Sequence, residues 1–190
     1  MDQNVAKQTI WGAAGTVCWM VLAVACIAAA QSVERSTDAD LGQSLSTGNQ
    51  ARSEVHLFFS DDRNFFLKAE KRVLDQSGDP VADGRQLLVQ LLQGPKERLH
   101  RLIPDDVRLR AFFLTRDGIA YADFSETLSE NHPGGCRLEM LTIYSIVNTL
   151  ILNIPEIKQV GILIAGQEIQ TLAGHIDARF PFKADMLLIR

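Results

Sequence analysis

The pattern of apolar and polar residues divides the chain into three parts. Residues 10–30 carry no charged side chain, and a helix of that length spans a hydrocarbon core of about 30 Å. Residues 31–53 are rich in Ser, Thr, Asp, Gln, Gly and Asn and show no sustained apolar period, which is typical of a flexible tether. Residues 54–190 contain the periodicities of strands and helices, so this part is predicted to be one folded domain.

The domain is predicted to begin with β-structure. Residues 55–60 alternate apolar and polar positions well enough for a strand, and residues 66–74 form a second extended candidate. Further along, residues 107–114 and 119–124 flank Asp117-Gly118, a dipeptide that favours a tight hairpin turn. The segments on either side of this turn are therefore predicted to pair as antiparallel strands.

Two helices are predicted from their start and stop signals. Asp79-Pro80 is a typical start, with Asp as the cap and Pro in the first turn, and Gly94-Pro95 is a matching end. A longer helix is predicted to follow Pro133-Gly134-Gly135 and to run to Ile154, because Pro155 cannot continue it. The buried face of the first helix is predicted to consist of Gly84, Leu87, Leu88, Leu91 and Leu92.

The longer helix carries a narrow polar stripe beside an apolar arc. The stripe consists of Glu139, Thr142, Ser145, Thr149 and Asn153. The arc consists of Ile143, Val147, Leu150 and Ile154, and it is predicted to pack on a sheet. A short hairpin is predicted within residues 160–172. These elements predict an α+β fold, with a mostly antiparallel sheet and two main helices packed on one face, preceded by an N-terminal transmembrane helix.

Charges around the apolar segment predict its orientation. Lys7 precedes the segment, and Glu34, Asp38 and Asp40 outnumber Arg35 after it, which favours a cytoplasmic N terminus. The predicted organisation is thus a cytoplasmic tail over residues 1–9, a transmembrane or signal-anchor helix over 10–30, a tether over 31–53 and an extracytoplasmic domain over 54–190. The domain would lie on the extracytoplasmic side of the membrane, with a single pass of the chain.

Two other fates of the apolar segment stay open. Ala28-Ala29-Ala30 fits the small-residue rule for cleavage after Ala30. Alternatively, Ala23-Val24-Ala25-Cys26 fits a degenerate lipoprotein box, with Cys26 as the lipidated residue. All three fates export the domain, in which Cys136 is the single cysteine, so no disulfide within the domain is expected.

Composition excludes several classes of protein. The 190 residues are 46% hydrophobic and include 13 Gly and 3 Cys, which rules out a collagen-like, disulfide-framed or wholly disordered chain. The 19 basic and 23 acidic residues give a net charge of −4, which provides no global attraction for a polyanion. Nucleic acid is therefore not an expected partner.

Candidate acid, base and metal-ligating residues are scattered along the domain. His132, His175 and Asp177 are candidate ligands, but they lack the spacing of a known metal motif. A turn residue with nearby backbone hydrogen bonds is the preferred interpretation of His175 and Asp177. No catalytic residue, no metal site and no cofactor is predicted, and the protein is expected not to be an enzyme.

Polar residues after the second hairpin strand have a structural interpretation as well. Asp123, Ser125 and Glu126 follow one another closely, but no Gly-x-Ser-x-Gly elbow exposes the serine. Asp123 or Ser125 is expected to cap the first amides of the following turn. The Gly134-Gly135 pair lacks the frame of a phosphate-binding loop. Asn148, at the margin of the apolar arc, is expected to tie its helix to an adjacent strand.

One cluster of charge stands out from the mildly acidic background. It contains Lys96, Arg98, Arg101, Arg108, Arg110 and Arg116. A patch that binds a partner is one interpretation, and a solvated face whose arginine stems cover apolar neighbours is the other.

An ordered set of short motifs is similar to a known family. The set includes Val-His-Leu-Phe-Phe at 55–59, Gly94-Pro95, Ile103-Pro104, Ile-Ala-Tyr-Ala-Asp-Phe-Ser at 119–125, Glu139, Ile-Val-Asn-Thr-Leu at 146–150, residues 160–164 and Thr-Leu-Ala-Gly-His at 171–175. In order and spacing it resembles the GerMN domain, over nearly all of residues 54–181. The resemblance implies an exported α+β domain, similar to ring-building modules of secretion and spore-channel assemblies, with structural and interactive roles at the cell envelope and no assigned catalytic residue or cofactor.

The leading functional hypothesis is a membrane-anchored domain that binds envelope proteins or copies of itself. It follows from a complete core without a convergent set of reactive groups. The alternative is a module that binds the cell-wall glycan peptidoglycan through the basic segment around Arg98 to Arg110. An envelope enzyme that uses Asp123 or His175 is the third hypothesis.

Overall fold

The computed structural model describes residues 51–190. The predicted cytoplasmic tail, the membrane anchor and the tether up to residue 50 lie outside the described residues. Within residues 51–190, every helix is too short or too polar to cross a bilayer. The first strand begins at Ala51, so residues 51–53 belong to a strand rather than to the tether.

The described chain contains six strands and three α-helices. In chain order they are β1 (Ala51–Ser60), β2 (Leu67–Gln76), α1 (Pro80–Leu92), β3 (Leu109–Leu114), β4 (Ile119–Phe124), α2 (Thr127–Glu130), α3 (Cys136–Asn153), β5 (Gln159–Ile164) and β6 (Gln167–Glu168). A short 3-10 helix, Met186–Leu188, follows near the end. The predicted α+β class is confirmed.

The strands form two separate sheets rather than one. The β1–β2 hairpin pairs antiparallel from Ala51 opposite Gln76 to Ser60 opposite Leu67. The second sheet has the order β3-β4-β5-β6. Its β3–β4 and β5–β6 pairs are antiparallel as predicted, whereas β4 and β5 run parallel. The prediction of one mostly antiparallel sheet is therefore corrected to a hairpin plus a mixed sheet, because α3 returns the chain to the same end before β5 begins.

Local chemistry accounts for α1. The side chain of Asp79 accepts hydrogen bonds from the backbone amides of Val81 and Ala82, both at 3.2 Å, and Pro80 is the first helical residue. The helix packs closely on β3 at Gly84, where an added Cβ would clash with the Phe112 ring. Both predicted ends of the helix agree with the structure to within two residues.

The main core lies between the helices and one face of the mixed sheet. Its buried side chains include Leu88, Phe112, Phe124, Ile143, Ile146, Val147, Leu150, Val160 and Ile162. A smaller cluster of Phe58, Leu67, Leu102 and Leu141 joins the hairpin to the first half of α3. Both α3 and α1 therefore contact the hairpin as well as the mixed sheet.

Candidate functional site

The polar stripe of α3 faces the interior of the domain. Glu139, Thr142, Ser145 and Thr149 are buried, and Asn153 is half-buried. From Ser145 to Asn153 the stripe lies against β1, which pairs with β2 along its other edge. An open strand edge carries backbone groups that need partners. The side chains of α3 supply those partners where a third strand would otherwise stand.

Hydrogen bonds between α3 and β1 follow the alternation of a strand edge. The amide of Phe58 donates to Thr149 Oγ1 at 3.2 Å, and the carbonyl of Phe58 accepts from Ser145 Oγ. Asn153 accepts from the amide of His56 at 2.9 Å and donates to its carbonyl at 2.8 Å. Each such bond contributes about 1 kcal/mol net, and more is lost if a buried partner is left unpaired. These residues therefore serve the fold.

Glu139 holds the loop that follows β6. Its fully buried carboxylate accepts from the amides of Leu172 at 3.0 Å, Ala173 at 2.9 Å and Ile176 at 3.2 Å. The amide and the Nδ1 of His175 lie 2.8 and 3.0 Å from its other oxygen. Burial alone would raise the pKa of Glu139, but these hydrogen bonds outweigh burial and hold the pKa below its ordinary value.

The candidate ligands His132, His175 and Asp177 do not converge on one site. Asp177 pairs with Arg179 at 2.8 Å, and the hydrogen bonds from that guanidinium lower the pKa of Asp177 to about 2. His132 Nε2 lies 3.0 Å from Thr142 Oγ1, and burial lowers the pKa of His132. Across residues 51–190, no three His, Cys, Asp or Glu side chains are grouped so as to hold a metal ion.

The polar residues at the end of β4 have partners that differ from the prediction. Asp123 accepts from the amide of Gly166 at 2.8 Å, and Ser125 Oγ accepts from the amide of Arg108 at 2.9 Å. The expectation that they cap the first amides of the next turn is wrong, because both side chains reach across to neighbouring loops. With Glu126, Ser125 lines an open cavity of about 410 Å³, but the carboxylate of Asp123 is committed elsewhere.

The polar and glycine residues of α3 and of the turn before it have structural roles that the sequence predicted only in part. Gly134 and Gly135 have φ angles of 79° and 85°, a region that favours glycine, and the amide of Gly134 donates to His132 Nδ1. They form the turn into the helix. Cys136 is exposed. Asn148 binds both the amide and the carbonyl of Asp185, at 3.0 and 2.9 Å, so it ties α3 to the C-terminal segment instead of to a strand.

The residues of the basic cluster differ in their contacts and in their positions in the fold. Arg101 donates to the carbonyls of Leu92 and Gln93 and pairs with Asp105 at 2.9 Å. It thereby caps the end of α1. Arg110 lies on β3, 3.9 Å from Asp123. The six residues are distributed over the loop after α1, the approach to β3, β3 itself and the β3–β4 turn.

A buried ion pair on β2 has no counterpart among the sequence-based candidates. Arg72 Nη2 lies 2.6 Å from Glu70 Oε1, and both side chains are almost completely buried. Glu70 also accepts from the amides of Lys96 and Glu97, and Arg72 donates to the carbonyl of Gly94. The pair fixes the loop after α1. Its only signal in the sequence is two opposite charges, two residues apart, on the inward face of a strand.

The sequence and the fold are similar to those of known proteins. Residues 56–170 match the family model Germane, described as sporulation and spore germination. A protein from Clostridium perfringens, assigned as a lipoprotein, is 26% identical with a TM-score of 0.51, covering 70% of this chain and 87% of that one. No curated protein matches the sequence.

Two solved structures of a Bacillus subtilis protein share the fold. The first GerMN domain of the sporulation protein GerM is 18% identical with a TM-score of 0.55, covering 71% of this chain and 98% of that one. The tandem GerMN domains of the same protein are 22% identical with a TM-score of 0.55, covering 72% of this chain and 46% of that one. The resemblance to GerMN domains is confirmed. Because the family match extends over more than half of the sequence, the chain belongs to the Germane family of sporulation and spore germination domains.

Proposed function

We propose that this protein is a non-enzymatic interaction domain of the bacterial cell envelope. Its N-terminal apolar segment would hold it at the outer face of the cytoplasmic membrane, with a single pass. The folded part would bind other envelope proteins or further copies of itself. No cofactor is required for this role.

The observation that carries the proposal is that the buried carboxylates are hydrogen-bonded to backbone amides. Among residues 51–190, the buried acids are Asp61, Glu70, Asp83, Asp123 and Glu139. Each accepts at least one hydrogen bond from a backbone amide. A carboxylate that is saturated with amides is a poor general base, since its pKa falls and its lone pairs are occupied. These five buried acids are thus engaged in holding loops, which supports a function carried by the surface of the domain.

The relatives support an envelope location. The protein from Clostridium perfringens is assigned as a lipoprotein, and lipid anchoring is one of the three fates that the N-terminal sequence allows. A tethered module with a stable core is suited to gathering partners near a membrane, because tethering raises their effective concentration.

Cross-linking in intact membranes tests the proposal. The full chain, expressed in its own host and treated with an amine-reactive cross-linker, should give adducts larger than the monomer. Proteolysis of intact cells or spheroplasts should remove the domain from outside. A chain that stays strictly monomeric and recovers no partner would refute the proposal. Salt-sensitive binding to purified peptidoglycan, without protein adducts, would favour the glycan alternative.

The fate of the N terminus is tested by the mass of the mature protein. Retention of residues 1–30 is expected for an anchor. Loss of residues 1–30 would indicate cleavage after Ala30. A lipid modification that disappears in Cys26→Ala would identify a lipoprotein.

A further inference from the structure

The outer edge of β2, on the side away from β1, is an open strand edge. Opposite Ala69 on β1 lies Phe58, whose amide and carbonyl both bind side chains of α3. Ala69 is therefore in a non-hydrogen-bonded pair of the hairpin, so its own amide and carbonyl point away from β1. Because this pattern alternates along a strand, the amides and carbonyls of Lys71, Val73 and Asp75 point the same way.

The backbone groups of this edge are free to pair with a further strand. In the part of the chain that the structure describes, the amides and carbonyls of these four residues have no hydrogen-bond partner. The same edge already accepts a strand at its first position, where the carbonyl of Leu67 accepts from the amide of Arg190 at 2.9 Å. A row of unpaired amides and carbonyls is a template for pairing with another chain.

The strand that carries this edge is fixed from its inner face. Glu70 and Arg72 form a buried ion pair, and both bind the loop after α1. The side chains on the outer face are exposed at the same level of the strand. Val73 is 66% exposed, and Lys71 and Asp75 are exposed on either side of it. The fold therefore holds in place the backbone from which these side chains project.

The charges on the outer face are complementary to those of a second β2 that runs antiparallel. Lys71 and Asp75 each lie two residues from Val73. When two copies of β2 pair about Val73, each Lys71 stands opposite the Asp75 of the other copy, and the two Val73 side chains meet at the two-fold axis. Registers centred on Lys71 or Asp75 place like charges opposite each other, and registers centred on the residues between leave both charges without an opposite partner. Since opposite charges across a sheet stabilise it and like charges destabilise it, the register centred on Val73 is favoured.

The charged side chains of this edge already have partners within the hairpin, and the pairing retains them. Lys71 Nζ lies 2.8 Å from Glu54 Oε1, and Arg52 Nε lies 3.1 Å from Asp75 Oδ1. These four charges cancel, so they give the outer face no excess of either sign. A carboxylate accepts several hydrogen bonds and an ammonium group donates three. In the joined sheet Asp75 lies between Arg52 of its own copy and Lys71 of the other, so that opposite charges alternate across the strands.

We infer that two copies of this protein bind each other through the outer edges of β2, antiparallel and centred on Val73. The contact joins the two hairpins into a four-stranded sheet. It involves only a few residues of each copy and is smaller than a standard protein interface, so it depends on the effective concentration that attachment to one membrane provides. The inference rests on the proposed function, and it names the partner as a second copy and the strand edge that binds it.

Disulfide trapping of the full chain in its native membrane tests this inference. Val73→Cys is compared with Val89→Cys, since Val89 is an exposed valine on α1. Both variants carry Cys136→Ser, and the Cys136→Ser chain alone measures the background from Cys18 and Cys26. Residues paired at the axis have Cα atoms about 5.5 Å apart, which is within the range of a disulfide. After mild oxidation we expect a disulfide-linked dimer from position 73 and none above background from position 89.

Charge-reversed copies test the register. Lys71→Asp places like charges opposite each other twice in its own dimer, and Asp75→Lys does the same with the other sign. Each change, combined with Val73→Cys, should therefore lower the yield of its own dimer about tenfold. A mixture of the two variants, carrying different tags, places opposite charges at both positions and should recover the dimer between them. Variants that merely fail to fold would not recover on mixing.

The remaining outcomes would overturn the inference. Equal disulfide yields at positions 73 and 89 would indicate random collision, and a disulfide between position 73 and a different protein would assign the edge to another partner. Folded charge-reversed variants that recover no dimer on mixing would refute the register. Absence of a disulfide at position 73, while amine-reactive cross-linking still gives larger adducts, would overturn the inference and leave the proposed function intact. A strict monomer in both experiments would refute both.

Discussion

The two long helices differ in how they use most of their polar residues. In α1 the buried positions are mostly apolar, and polar residues such as Arg85 face solvent. In α3 the polar stripe is buried together with the apolar arc, because the stripe meets the backbone edge of β1. The comparison shows that polar periodicity identifies a face that needs hydrogen bonds. It does not identify whether water or backbone provides them.

The largest effect in this comparison is expected for Glu139→Ala. The change leaves the amides of residues 172, 173, 175 and 176 without their shared acceptor, and breaking a buried charged network costs about 3 to 5 kcal/mol. Chemical denaturation should show this loss or a failure to fold. Glu168→Ala, an exposed change on β6, should cost at most about 0.5 kcal/mol. A similar cost for both would refute the role of Glu139.

A second effect is loss of stability in acid. Burial alone would raise the pKa values of Glu139, Glu70 and Asp61, but their hydrogen bonds hold these pKa values below ordinary. As pH falls, these carboxylates therefore take up protons at a higher pH in the unfolded chain than in the folded protein. The stabilisation that these carboxylates provide is complete at pH values above their ordinary pKa, which is 4.5 for Glu139. It is lost as pH falls through their lower pKa values in the folded protein.

Denaturation curves from pH 7 to pH 3 measure this dependence. The free energy of unfolding should fall below about pH 5, and the fall should be shallower in Glu139→Gln if that variant folds. A flat profile across the range would contradict the assignment of these carboxylates.

Smaller effects are expected along the contact between α3 and β1. Ser145→Ala combined with Thr149→Val leaves the amide and the carbonyl of Phe58 unpaired, which should cost about 1 to 3 kcal/mol. Arg85→Ala on α1 is the matched helical control and should change the free energy of unfolding by less than about 0.5 kcal/mol. Equal effects in both helices would remove the distinction between them.

The smallest effect is expected at the start of α1. Asp79→Ala removes the acceptor of two backbone amides and should cost about 1 kcal/mol. Asp62→Ala, in the exposed turn of the hairpin, provides the control and should be neutral in unfolding experiments. A neutral Asp79→Ala would mean that the cap contributes nothing measurable.

Local signals in the sequence were sufficient for some features and insufficient for others. The cap at Asp79, the Asp117-Gly118 turn and the end of α3 before Pro155 depend on neighbouring residues, so the pattern predicted them. The parallel pairing of β4 with β5 depends on how α3 returns the chain, which no short window contains.

Candidate functional residues show the same limit. The buried Glu70–Arg72 pair resembles a solvated charge pattern, and its partners lie in the loop after α1. Asn148 was recognised as a residue that needs partners, but its partner, Asp185, could be found only in three dimensions.

The contact of β1 with α3 has a consequence for biosynthesis. Asn153 is 97 positions downstream of His56, to which it binds. In a chain synthesised from its N terminus, the first hairpin emerges with one edge bare and remains so until the helix has been translated. The hairpin is thus completed only after α3 has been made. Until then, the bare edge of β1 must be kept from pairing with other chains.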